Sequence, residues 1–107
     1  MTTFDQREEG FENQYAHNED MRFRAEARRN KLLGLWAAEK LGLAGAAADG
    51  YARDIVDTAV QPAGSRAALR KIAADLTAKG IAIPETAIEG KMAELLRIAT
   101  AQVRAGQ

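Results

Sequence analysis

The chain has 107 residues, 15 basic and 15 acidic side chains, one histidine, one tryptophan and no cysteine. That length makes one domain, the missing thiols exclude disulfides and thiolate metal sites, and a lone histidine excludes a zinc site built on several imidazoles. A formal charge of zero removes the long-range field that draws a protein to DNA or an anionic membrane, so the charge that matters is local.

The first twenty residues carry Asp5, Glu8, Glu9, Glu12, Glu19 and Asp20 against Arg7 alone. Phe4, Phe11 and Tyr15 recur within them at a spacing that a helix would align on one face. Three aromatics cannot offset an ordering cost of roughly 1 to 2 kcal/mol per residue. Gly10 adds roughly 1 kcal/mol against alanine in a helix interior. Residues 1–18 are therefore expected to be mobile and disordered alone, and helical when bound in a partner's groove. The start of the chain is acidic and polar where a secretory signal is basic and then apolar. The longest near-apolar stretch, 41–48, is far shorter than a membrane span. A soluble, cytoplasmic protein is the expectation. His17 lies among Asn18, Glu19 and Asp20, whose carboxylates would hold its protonated form; an exposed polar residue near a helix start is the plainer reading, a pH-responsive element the sharper one.

Charge then reverses. Arg22, Arg24, Arg28, Arg29 and Lys31 face Glu26 alone. Asp20 with Arg24 and Arg22 with Glu26 are opposite charges four apart, suited to an exposed helix. Leu32, Leu33, Leu35, Trp36, Ala37, Leu41 and Leu43 follow as a broad apolar face, so one helix from about Glu19 to Leu41 is expected, its first half solvated and its second half in the core. Trp36 reads as a core residue, with base stacking as the alternative role. The five cations spread around the helix behind an acidic block, which favours a solvated face that also meets an acidic protein surface over a phosphate or nucleic-acid site.

Gly42, Gly45 and Gly50 mark a helix stop and a loose restart; their spacing matches no phosphate-binding motif, and no strand precedes them. A second helix places Ala52, Ile55, Val56 and Ala59 on one face and ends at the run from Gln61 to Gly64, where proline cannot continue the ladder. Ser65 suits the N-cap of a third helix bearing Leu69, Ile72, Ala73 and Leu76, with Gly80 as its C′ residue. Ile81 to Ile83 reads as an extended connector, and Pro84 suits the first turn of a fourth helix striped by Ile88, Met92, Leu95, Leu96, Ala99 and Val103. Four helices with short connectors predict an all-α fold, a small antiparallel bundle over residues 19–107. Carboxylates in a disordered segment cannot be held at a fixed separation with shifted pKa values, so no catalytic constellation emerges and a non-enzymatic role is expected.

Phe-Asp-Gln-Arg-Glu at 4–8, Tyr-Ala-His-Asn-Glu-Asp-Met-Arg-Phe at 15–23 and, above all, Ala-Glu-Ala-Arg-Arg-Asn-Lys-Leu-Leu-Gly-Leu-Trp-Ala-Ala-Glu at 25–39 resemble the ζ subunit of alphaproteobacterial F1Fo ATP synthases. Weaker similarity continues through Tyr51-Ala52, Leu69-Arg70-Lys71, Asp75-Leu76 and Ile83-Pro84. The resemblance implies an inhibitor of ATP hydrolysis, folded as a four-helix bundle, whose N-terminal segment enters a catalytic interface between the F1 α and β subunits, as the unrelated mitochondrial ATPase inhibitor protein does. Phe4, Asp5, Arg7, Glu8, Phe11, Tyr15, Ala16 and His17 carry over as that segment. The resemblance also implies ADP or ATP as a regulatory ligand, with no required cofactor. Arg28, Arg70 and Lys71 are its candidate contacts, because phosphates need cations. The expected partners are F1 α and β, with no nucleic acid and no membrane insertion, and the free protein is expected to be a monomer attached to the membrane-bound synthase through F1. A helical adaptor or nucleic-acid accessory protein is the alternative. Two departures from the family pattern are Gly10, where a better helix former is expected, and the stretch from Thr58 to Ala68, which contains no acid.

Overall fold

The computed structural model describes residues 19–106 in full; residues 1, 2 and 107 and the side chains of 3–18 lie outside the described residues, and with them the expectation that 1–18 is disordered when free. Four helices follow in order: α1 (Thr3–Lys40), α2 (Gly45–Ala59), α3 (Gly64–Ala78) and α4 (Glu85–Arg104), with no strand among the described residues. The 38-residue α1 is the axis of the fold. It packs on α2, on α4 and more lightly on α3; α2 packs on α3 and α3 on α4, while α2 and α4 do not meet. Because α2 and α4 flank α1 without closing over it, part of α1's surface stays open between them.

The core is the apolar stripe that each helix turns inward. Leu33 and Ala37 on α1 and Leu41 just past its end meet Ile55 on α2, Ala68, Leu69, Ile72 and Leu76 on α3, and Ile88 and Leu95 on α4. The first three stand four apart, so they occupy the centre of the interface. Trp36, expected in the core, is instead half-buried against the edge of this cluster. The reason is its place on the helix: one position before Ala37, it flanks the central stripe. Its ring takes the Nζ of Lys40 at 5.9 Å and of Lys91 at 6.0 Å, a pair of cation–π contacts at the rim.

Two helix ends are built alike. Leu43 N–H donates to the Ala38 carbonyl at 2.9 Å and Gly42 N–H to Glu39 at 3.1 Å; Ile81 N–H donates to Leu76 at 2.9 Å and Gly80 N–H to Thr77 at 2.9 Å. This is the Schellman arrangement, which requires a left-handed backbone at the residue after the helix. Gly42 (φ 80°) and Gly80 (φ 78°) supply it. Gly80 is thus the C′ residue its position predicts. The residues after it, 81–84, form an irregular connector whose Ile81 and Ile83 pack on the core.

Four boundaries differ from the sequence expectation, the first being α1, which begins at Thr3 where a start near Glu19 is expected. α2 begins at Gly45, earlier than the loose loop predicts, because Ala46, Ala47 and Ala48 are the strongest helix formers and outweigh Gly50. α3 begins before Ser65: Ala63, in the left-handed region at φ 59°, is the cap, and it makes no side-chain cap hydrogen bond. Pro84 is the N-cap of α4 and lies just outside its first turn.

Gly34 sets the α1–α2 distance. A Cβ built there would lie 2.6 Å from the Ala52 Cα, a backbone atom that cannot turn aside. Gly34→Ala is therefore expected to destabilise the fold although alanine is favoured by roughly 1 kcal/mol in an isolated helix. Forcing two packed helices apart costs about 1 to 3 kcal/mol. Urea denaturation decides the sign, and a more stable variant would contradict the close crossing.

Candidate functional site

Residues 19–31 of α1 are where the charged sequence meets the folded body. Arg24 pairs with Asp20 at 3.1 Å and Arg22 with Glu26 at 3.2 Å, the two four-residue spacings seen in the sequence. Both pairs are exposed and contribute little to stability. Arg29 turns inward: its Nε donates to Oδ1 of the buried Asn30 at 3.1 Å, and its Nη2 to Ser65 Oγ at 3.5 Å. Burial lowers the Arg29 pKa, partly opposed by the charge of Glu26. Asn30, a polar side chain taken out of water, thus has the partner that burial demands. Hydrophobic patterning gives no sign of this Arg29–Asn30–Ser65 link between α1 and α3.

The remaining cations gather. Arg24, Arg28 and Lys31 all border one groove of about 530 Å³, whose apolar lining includes Phe23 and Ala27 of α1, Val56 of α2 and Val103 of α4. Positions 24, 28 and 31 share a helix face, so the five cations are less dispersed than the sequence alone suggests. Arg28 Nη1 also donates to Gln102 Oε1 on α4 at 3.5 Å. Phe23 is 71 % exposed, an unusual position for a phenyl ring beside a core this small.

Lys71 lies elsewhere. Its Nζ donates to Asp75 Oδ2 at 3.3 Å and stands 5.6 Å from the centre of the Tyr51 ring. The Tyr51 hydroxyl donates to the same carboxylate oxygen at 2.8 Å, which ties α2 to α3. Burial pushes the Tyr51 pKa well above the usual phenol range, and the hydrogen bond to Asp75 and the charges of Asp75 and Asp54 push the same way. Arg70, one residue earlier on α3, is exposed. The groove that Arg28 lines has neither Arg70 nor Lys71 in its wall, so the three candidate phosphate contacts border different surfaces. The inhibitory-segment residues Phe4, Asp5, Arg7, Glu8, Phe11, Tyr15, Ala16 and His17 have side chains outside the described residues.

Among the described residues no group of three His, Cys, Asp or Glu side chains could hold a metal ion. No described helix is long and apolar enough to cross a membrane. The features that stand out are a basic, partly apolar groove on α1 and a long helix leading away from it toward residue 3.

A solved solution NMR structure superposes on the chain with a TM-score of 0.69 at 41 % identity, covering 81 % of this chain and 99 % of the other. No curated protein matches the chain. A family model for ATPase inhibitor subunit zeta matches residues 1–102, nearly the whole length including the acidic N-terminal block, and the chain belongs to that family of ATPase inhibitors.

Proposed function

We propose that the protein inhibits ATP hydrolysis by F1 by inserting residues 1–18, as a helix formed on binding, into a catalytic interface between α and β subunits. The bundle at 19–107 is the body that remains outside. What supports this reading is the reach of the family match, which begins at residue 1 and so takes in the acidic, aromatic segment together with the bundle. Phe4, Phe11 and Tyr15 are the apolar anchors, and Asp5, Arg7, Glu8, Ala16 and His17 complete the contact. Inhibition requires occupancy of the interface alone, so no catalytic group is needed on the inhibitor. ADP or ATP modulates this action in the same reading, with either Arg28 on α1 or Arg70 and Lys71 on α3 as its phosphate contacts, since the three border different surfaces.

Gly10 provides the test. If the bound segment is one continuous helix, Gly10→Ala tightens binding by roughly 1 kcal/mol, about fivefold in Kd. Phe11→Ala removes an anchor and weakens binding. Neither change is expected to move the melting temperature, because the core lies downstream of both. Dissociation constants of both variants for purified F1 check the pair. Weaker binding by Gly10→Ala would mean an extended or turned position 10, or a groove without room for a methyl group, and the continuous helix would have to be given up.

A further inference from the structure

We propose that the groove along α1 between α2 and α4 is a second contact with the ATPase, receiving an acidic segment with an apolar anchor on the surface beside the interface that takes residues 1–18. This rests on the insertion reading above and adds to it a docking surface on the folded body. Three observations carry it. The groove has an apolar interior formed by Ala27, Val56 and Val103, and Phe23 beside them is 71 % exposed. The charged residues that line it are all basic, Arg24, Arg28 and Lys31, with Asp49 next to Lys31 and Glu19 and Glu26 next to Phe23 lying in adjoining depressions outside its wall. It opens on α1 itself, the helix that runs on to Thr3, so whatever holds residues 1–18 lies next to it.

These features select the occupant by charge and shape. An apolar side chain fits among the valines, and carboxylates around it answer the rim, the pattern of an interface core with charged edges. Arg24 already has Asp20 as a partner, but that pair is exposed and exchangeable. A nucleic acid is disfavoured, because Asp5, Glu8, Glu9, Glu12, Glu19 and Asp20 stand immediately upstream and would repel a phosphate backbone.

The experiment compares the full chain with Phe23→Ala, Lys31→Glu and, as a charge-matched control, Lys79→Glu, which lies where α3 hands over to α4 and outside the groove wall. Phe23, Lys31 and Lys79 are all exposed, so the four proteins should all stay folded, with Lys79→Glu melting slightly lower because it sets a negative charge at the C-terminal end of α3. Phe23→Ala and Lys31→Glu are each expected to raise the Kd for purified F1 about tenfold, as loss of a central interface side chain does. Lys79→Glu should leave it unchanged. Added salt should weaken the parent chain more than Lys31→Glu, since screening acts on the charge that the variant has lost. Equal Kd values for all four proteins, with the parent chain still inhibiting F1, would overturn the groove and leave the insertion reading standing. A parent chain that neither binds nor inhibits F1 would overturn both. Capture of duplex DNA or ADP through Phe23 and Lys31, or self-association through them, with F1 affinity unaltered, would assign the groove to another ligand and overturn the proposal.

Discussion

Deletion of residues 1–18 is expected to abolish inhibition of F1 while the remaining chain still folds. The reason is where the folded body begins. Of the described side chains, Ala25 is the first that is buried, and the hydrophobic core starts at Leu33. The contacts that hold α1 to its neighbours, such as Arg28 with Gln102 and Arg29 with Ser65, also lie beyond residue 18. The proposed anchors Phe4, Phe11 and Tyr15 are all removed by the deletion. Any residual affinity would come from the groove at Phe23, which can hold the body but places nothing in a catalytic interface. A melting curve beside a hydrolysis assay reads both halves of the expectation. Inhibition retained by the shortened chain, or a loss of its cooperative melting, would refute the separation of segment from body.

Leu33→Ala is expected to damage the bundle severely. Leu33 is 0 % exposed and lies within the single cluster to which all four helices contribute. Truncating a leucine in such a place costs about 2 to 5 kcal/mol, according to how far the cavity can collapse. A small domain holds only about 5 to 15 kcal/mol in total, usually toward the lower end. Each kcal/mol moves the melting temperature of a domain this size by roughly 4 to 8 °C. Thermal unfolding should therefore show a drop on the order of 10 to 30 °C. Trp36→Ala should cost less than Leu33→Ala despite the larger side chain, because the indole is only half-buried and the Lys40 and Lys91 stems can close over the space it leaves. The reverse order would return Trp36 to the centre of the core.

The difference between these two residues marks how far the sequence could be read. Helical periodicity found the stripes, because burial of one face is what makes a helix stable in a small bundle. It could not rank residues within a broad apolar face such as 32–43, since the centre of that face is decided by where the partner helices cross. The crossing itself depends on Gly34 and Ala52, whose close approach is invisible in one dimension. Ser65, suited to capping by its chemistry, lies inside α3 because the helix already begins at Gly64; the cap position falls to Ala63, and the Ser65 hydroxyl accepts from Arg29 of α1 instead. The docking groove was legible only as a basic run. Its apolar lining comes from α2 and α4, and only the fold shows that these helices leave α1 open between them.

Whether the chain acts on F1 at all is read most directly by titrating ATP hydrolysis by purified F1 with the purified full-length protein. A saturable fall to a low plateau is expected, reached at lower concentrations with Gly10→Ala and at higher concentrations with Phe11→Ala. Hydrolysis that stays constant up to a large excess of the protein would contradict inhibition by insertion.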